Sequence, residues 1–287
     1  MKSEKATIPD SYTAEYDGFA DDWISTSALS ALMMCGMSFY YKYILRWREP
    51  ISVRMCAGSG AHKGREINLQ QKITSLEDVP LDVVTDATRD DVVGRFEKND
   101  YCATKEFEGK SKSHARDIAT DLAVEFVTKD YSAFQVDLTP ASVEESIAVQ
   151  FEGLPRVIVG KIDLREEDCS IVDLKTGKQA FGQSKTDNSM ALSTYGLLTL
   201  AEHGVLPPNY RIQNVSRGKT GCKANLYETE RTMEDIRRQL MRFTAGMKAI
   251  EAGNFVPCDS GHWKCSPGFC GFYSRCPYGC GDISKEG

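Results

Sequence analysis

The sequence predicts an α/β fold. Two runs rich in β-branched residues, at 156–164 and 170–175, and two further strand-like segments, at 210–215 and 224–229, lie in the second half of the chain. Between and before them stand longer segments whose apolar residues recur every three or four positions, the spacing of a helix with one buried face. With 287 residues, 41% of them hydrophobic and 26% charged, the chain can bury a sizeable core as one unit.

Taken in order, residues 1–21 are polar, without apolar period, and read as a loose lead-in; a single domain is expected over 22–280. Ser25 or Thr26 can cap a helix that the apolar spacing carries to about residue 47, with Cys35 in its middle. A second helix is expected over 55–71, entered through Gly58-Ser59-Gly60 and carrying His62. Residues 76–130 alternate charged and apolar positions at helical period and read as a helical insertion. Strand-like alternation marks 134–138 and 146–151, and the runs at 156–164 and 170–175 form a hairpin joined by 165–169. A helix over 188–203 stops before Pro207-Pro208, two further strands follow at 210–215 and 224–229, and 231–253 is helical again. The tail over 255–280 is rich in Cys, Gly and Pro and supports no regular element. No internal repeat occurs at solenoid period.

The polar start lacks a secretory signal, and no stretch approaches the roughly 20 apolar residues of a membrane span, so a cytoplasmic protein without membrane contact is expected. The net charge of −6 argues against wholesale coating of nucleic acid but is compatible with one basic groove. Ten cysteines, half of them in the last thirty residues, read in a reducing compartment as metal or cluster ligands rather than disulfides.

A hairpin centred near Asp168 sets Asp163 opposite Asp173, and strand alternation puts Lys175 on the face of Asp173. Two carboxylates and an ammonium then converge inside apolar sequence, Ile162-Asp163-Leu164 and Ile171-Val172-Asp173-Leu174-Lys175. Opposed like charges there call for a counterion. Hard oxygen ligands suit Mg²⁺ or Mn²⁺, with Lys175 placed to orient water or stabilise phosphoryl charge. In the tail, Cys265, Cys270 and Cys276 are spaced to wrap a small inorganic centre that needs a fourth ligand.

Gly160-Lys161-Ile162-Asp163-Leu164 followed by Asp173-Leu174-Lys175-Thr176-Gly177 resembles the core of the PD-(D/E)XK nuclease superfamily, in its RecB-like branch with an iron–sulfur staple, as in CRISPR-associated and phage exonucleases. The stretch from Ser25 to Cys35 with Phe39 to Tyr43 is similar to the branch's opening helix, and Gly60-Ala61-His62 to its histidine motif. The likeness spans 22–280 apart from 76–130. It implies a restriction-endonuclease-like core, a mixed central sheet flanked by helices, with a cluster-binding tail. It implies metal binding by His62, Asp163, Asp173 and the Leu174 backbone carbonyl, with Asp163, Asp173 and Lys175 catalytic and Glu145 a further candidate. It supplies Cys35 as the fourth ligand of a 4Fe–4S cluster with Cys265, Cys270 and Cys276; structural Zn²⁺ on the same thiols is the alternative. Cys258 and Cys280 are then spare, His262 is a minor candidate ligand, and Cys56, Cys102, Cys169 and Cys222 are ordinary core or surface thiols.

The family helix that follows the D-x-K strand usually carries a Gln four residues before a Tyr. Tyr195 fits, while the Gln position is Ala191. The resemblance therefore implies a divalent-metal-dependent DNA nuclease, an exonuclease or end-processing enzyme on single-stranded or frayed DNA. The alternative is a weak or inactive subunit that keeps the fold and the cluster and binds DNA or protein. A recombination, repair or CRISPR-adaptation protein is an implied partner.

Arg217-Gly218-Lys219-Thr220 is no phosphate-binding loop, because Gln213 stands where the motif needs Gly, so no ATP is expected. Lys42, Arg46 and Arg48 interleaved with Tyr40, Tyr41, Tyr43 and Trp47 form one candidate path for a single strand. Arg211, Arg217, Lys219 and Lys223 form another.

Overall fold

A computed structural model describes residues 21–101 and 107–280, the side chain of Cys280 excepted. All but the last residue of the expected lead-in, and the thiol of Cys102, lie outside the described residues. The first half holds β1 (Trp23–Ser25), α1 (Thr26–Met34), α2 (Gly36–Phe39), α3 (Val53–Ser75), α4 (Leu81–Lys98) and α5 (Lys112–Ala133). Strands β2 (Pro140–Val149), β3 (Val157–Glu166) and β4 (Ile171–Gly177) follow, then α6 (Gln183–Asp187) and α7 (Met190–His203). Strands β5 (Tyr210–Gly218) and β6 (Gly221–Thr229), helix α8 (Met233–Glu251) and the short α9 (Pro277–Cys280) complete the chain.

One mixed six-stranded sheet organises the molecule, in the order β1-β3-β4-β5-β6 with β2 also paired to β3. Because antiparallel β2 runs along nearly all of β3, β1 and β4 share the opposite edge of that strand, one at each end. β1 pairs in parallel at Val157–Val159, and β4 pairs antiparallel at Leu164 and Arg165. The β4 to β5 connection is parallel and needs a crossover, which α6 and α7 supply.

The sheet's two faces bury different helices. On one, Ile158, Ile162, Ile171 and Ile212 pack with Leu29 of α1, Leu198 of α7 and Phe243 of α8. On the other, Leu174 and Val215 pack with Ala57 and Ala61 of α3, Val92 of α4 and Phe126 of α5. A buried network ties this second layer together: Arg65 of α3 donates to Asp130 of α5 at 2.7 Å and to Gln213 of β5 at 2.6 Å. Gln135 donates to the other Asp130 oxygen at 2.5 Å.

Several local expectations change. Cys35 takes φ −161° and ψ 106°, so it ends α1 and caps α2 instead of continuing one helix. The break lets Gly36 approach the tail: its N–H donates to the Val256 carbonyl at 2.7 Å, and a Cβ there would lie 2.5 Å from the Phe255–Val256 backbone. Ser52 caps α3, so Gly58 and Gly60 lie inside that helix, not at its entrance. Residues Gln135–Asp137 form a 3₁₀ turn where a strand is expected, and β2 begins six residues before the alternation at 146–151 and ends at Val149. In the tail, a 3₁₀ turn at Tyr273–Arg275 and α9 are the regular pieces. No described helix is long and apolar enough to cross a membrane.

Candidate metal centre

β3 and β4 leave their turn paired at Arg165 with Ile171 and at Leu164 with Val172, the register that a centre at Asp168 dictates. One step further the strands part, and Asp163 and Asp173 stand at the parting. Asp163 still reaches across, its Oδ2 accepting the Leu174 N–H at 3.0 Å.

On the other edge of β3, Val143 pairs with Leu164 and Glu145 with Ile162, which leaves Glu144 facing Asp163. Glu144 adopts φ 53°, in the left-handed region. Residues two apart on a strand ordinarily share a face. Here Ile162 belongs to the core with Tyr195 and Leu198 of α7, whereas Leu164 packs with Leu69 of α3. Likewise Glu145 meets His203 of α7 at 3.0 Å, whereas Val143 joins Leu69. Both strands exchange faces at the Glu144–Asp163 step, a bulge-like device that re-aims side chains.

Helix α3 brings His62 to this step, with Nδ1 3.4 Å from Asp163 Oδ2. Ligand atoms of His62, Glu144 and Asp163 all lie within 4.8 Å of one another. They line an open cleft of about 390 Å³ with Glu66, Lys161 and Lys175. Lys161 pairs with Glu144 at 2.6 Å. Asp173 is buried beneath: one carboxylate oxygen pairs with the Lys175 ammonium, and the other accepts from the Tyr195 hydroxyl at 3.4 Å.

Burial, then the neighbouring Asp173 charge, holds the Asp163 carboxyl above its ordinary range, against the pull of His62, Lys175 and the Leu174 N–H. Burial alone would lower the Lys175 ammonium, but the Asp173 and Asp163 carboxylates outweigh it and the net shift is upward. Tyr195 is pushed well above the ordinary phenol by burial and by Asp173, so it serves as a donor.

The structure thus brings together His62, Asp163, Asp173, Lys175 and Tyr195, with Leu174 on the cleft wall. Glu145 lies elsewhere, tied to Arg165 at 2.9 Å and to Ser142 and His203. Burial opposes its ionisation, yet these partners hold the Glu145 carboxyl below its usual range. Its neighbour Glu144 takes the place beside Asp163. The signal for it was the second hairpin: numbering outward from a turn centred between Gly153 and Leu154 pairs residue 144 with residue 163. Ala191 sits one turn before Tyr195 on α7 and packs against the core.

Five thiols meet at a second place. Cys35, Cys258, Cys265, Cys270 and Cys276 line one cavity, together with Tyr41. The Cys258 N–H lies 3.4 Å from Cys35 Sγ, so this cysteine, expected to be spare, belongs to the group. Burial, then the neighbouring Cys35 and Cys265, pushes the Cys258 thiol up to about 12. His262 lies off the cavity, its Nδ1 accepting the Lys264 N–H at 3.2 Å. Cys56 is a core thiol, pushed up to about 11 by burial. Cys169 and Cys222 are half-buried outside the cavity, Cys222 beside Glu125.

Of the aromatic residues near Lys42, Tyr40, Tyr41 and Trp47 pack with the thiol cluster, while Tyr43 stacks on Phe39. Tyr41 is buried and stacks on Trp47 at 4.7 Å, and both join Phe272. Arg46 pairs with Asp21 and Lys42 with Glu49, while in the second group Arg211 pairs with Glu166 and Arg217 with Glu125. Residues 218–221 form the β5–β6 turn, in keeping with the rejected phosphate loop.

A crystal structure from Eubacterium rectale, described as "Putative exonuclease", superposes with a TM-score of 0.55 at 13% identity, covering 89% of this chain and 92% of that one. A crystal structure of SSO0001 covers 94% of this chain and 92% of that chain at 12% identity, with a TM-score of 0.38. No curated protein matches the sequence. The model of the PD-(D/E)XK nuclease superfamily matches residues 24–277, from β1 through the last cysteine of the cavity. That match takes in most of the chain, and the chain belongs to the PD-(D/E)XK nuclease superfamily.

Proposed function

We propose that the protein is a divalent-metal-dependent deoxyribonuclease acting at DNA ends or on single strands. The observation that carries this reading is the cleft where His62, Glu144 and Asp163 converge above the Asp173–Lys175 pair. One imidazole nitrogen with carboxylate oxygens, at a site open to water, is a donor set that fits Mg²⁺ or Mn²⁺. The raised Asp163 carboxyl marks a place where negative charge exceeds the positive charge facing it, which a cation would balance. His62, Asp163, Asp173 and the Leu174 carbonyl would hold the metal, with Glu144 in the place first considered for Glu145. A bound ion supplies Lewis acidity and a water nucleophile of lowered pKa. Lys175, kept charged by both aspartates, is positioned to stabilise negative charge on a phosphoryl oxygen. Tyr195 orients Asp173 by donating to it.

The thiol cavity fits a 4Fe–4S cluster on Cys35, Cys265, Cys270 and Cys276 better than a single zinc ion. Zn–S bonds of about 2.3 Å would bring tetrahedral thiolates to within roughly 4 Å of one another. Among the described residues the His62 group is the one set of three such ligands within 4.8 Å, so no three of these sulfurs are that close. A reducing, cytoplasmic setting would keep the thiols available as ligands.

End-labelled single-stranded DNA incubated with Mn²⁺ tests the activity: wild type cleaves, whereas Asp173→Ala and Lys175→Ala do not. Wild-type protein that binds DNA but leaves it intact with Mg²⁺ or Mn²⁺ would overturn the reading. That result would favour a non-catalytic binding subunit, the alternative motivated by Ala191.

A further inference from the structure

Lys161 stands in the wall of the cleft and presses on the acidic side chains there. Ile162 turns into the layer of α7, so its neighbours Lys161 and Asp163 both face the α3 side. Two residues of a strand advance about 6.6 Å, and the helical turn from His62 to Glu66 advances about 6 Å. The two steps match, so α3 and β3 meet in two tiers. His62 meets Asp163 in one, and Glu66 attracts the Lys161 ammonium in the next.

Glu144 serves both tiers. One of its carboxylate oxygens lies within 4.8 Å of ligand atoms of His62 and Asp163, and its Oε2 accepts from the Lys161 ammonium at 2.6 Å. The two partners are unequal: the Glu144 side chain is 16% exposed and that of Lys161 is 58% exposed. The fold therefore holds the carboxylate in place, while the long lysine stem swings into water at little cost. Asp163 adds to the pull on the ammonium, and Glu66 is shared with Lys63 at 3.1 Å. Lys175 has a different hold, against the buried Asp173. An ammonium and a divalent cation compete for one carboxylate, because each neutralises the charge that attracts the other and the two repel at short range.

Resting on the metal-centre reading, we infer that Lys161 is a built-in competitor for the metal, a positioning residue whose ammonium holds Glu144 and must be displaced by the incoming ion. The site then loads only where the ion outcompetes the protein's own lysine. Lys161 thereby raises the metal concentration at which the nuclease is armed.

The test is a Mn²⁺ titration of full-length protein without DNA, followed by the electron paramagnetic resonance signal of the free ion, at fixed pH and salt. Lys161→Ala and Lys161→Gln are expected to bind Mn²⁺ about two- to fivefold more tightly than wild type, the scale of an exposed ion pair. Lys161→Arg is expected to bind as wild type does. In a Glu144→Gln background, where the lysine has no carboxylate to hold, Lys161→Ala is expected to bring no gain. Unchanged or weaker Mn²⁺ binding in Lys161→Ala and Lys161→Gln would overturn the inference. So would an equal gain with Glu144 and with Gln at position 144, because the effect would then be the general field of a nearby cation. The metal-centre reading fails in a different way: neither wild type nor Lys161→Ala would then bind Mn²⁺, and the inference would fall with it.

Discussion

Glu144 and Asp163 face each other across β2 and β3 at the step where both strands swap the faces of the sheet they present. The left-handed backbone of Glu144 accompanies that swap. As a result, adjacent glutamates have opposite destinations: Glu144 enters the cleft, and Glu145 is fixed to α7 through His203.

Exchanging each glutamate for glutamine should separate these roles. Glu144→Gln is expected to lose metal-dependent cleavage by two orders of magnitude or more while melting near wild type. Glu145→Gln is expected to lower stability by about 1.5–3 kcal/mol, the range for a hydrogen bond to a charged group. Because the Glu145 carboxyl is held below its usual value, its contribution is present at neutral pH and fades as pH falls through that lowered value. Wild type and Glu145→Gln should therefore converge in melting temperature under acid conditions, as calorimetry would show.

Asp163 should behave in the opposite sense. Its carboxyl is raised in the fold, so its favourable contribution is complete below the unfolded value of about 3.9 and is lost as pH rises through the folded one. Asp163→Asn, which can still accept the Leu174 N–H, is expected to melt higher than wild type at pH 7 in EDTA. Mn²⁺ should raise the wild-type melting temperature by mass action and leave the variant unmoved. A metal-induced shift of equal size in both proteins would contradict the assignment of Asp163 as a ligand.

Arg65 is nearly sealed from solvent and bridges Asp130 and Gln213. Arg65→Ala leaves a buried aspartate without its cation and is expected to cost about 3–5 kcal/mol. Urea denaturation would measure this as a lower midpoint. Since α3 also carries His62, metal affinity should fall with it.

Cys276→Ser is expected to yield colourless, iron-free protein from an anaerobic purification in which wild type is brown. Iron and sulfide assays on both proteins check this. Cys56→Ser, in the core between α3 and α5 and away from the cavity, should retain full iron.

The hairpin that carries Asp163, Asp173 and Lys175 was legible because alternation and one turn position determine strand register, and the pairing of Leu164 with Val172 follows that register. The helices at 190–203 and 233–251 were legible for a similar local reason, apolar periodicity bounded by caps. Cys35 defeated the same logic: the apolar spacing runs unbroken across it, and the break answers to the close approach of Phe255 and Val256, more than two hundred residues away. Glu144 was missed because strict alternation fails at that step, and no neighbour in sequence announces a left-handed glutamate. Cys258 was set aside because the family resemblance fills the cluster with four other cysteines, yet the fold returns it to Cys35.

The backbone contact between Gly36 and Val256 has a consequence for the ageing of the protein. Phe255 roofs the rings of Phe39 and Tyr40, at 5.8 and 5.2 Å. A protease nick in the non-helical stretch after α8 would peel that roof away and turn well-packed aromatic interior into adhesive surface. Damaged molecules would clump before their sheet unravelled.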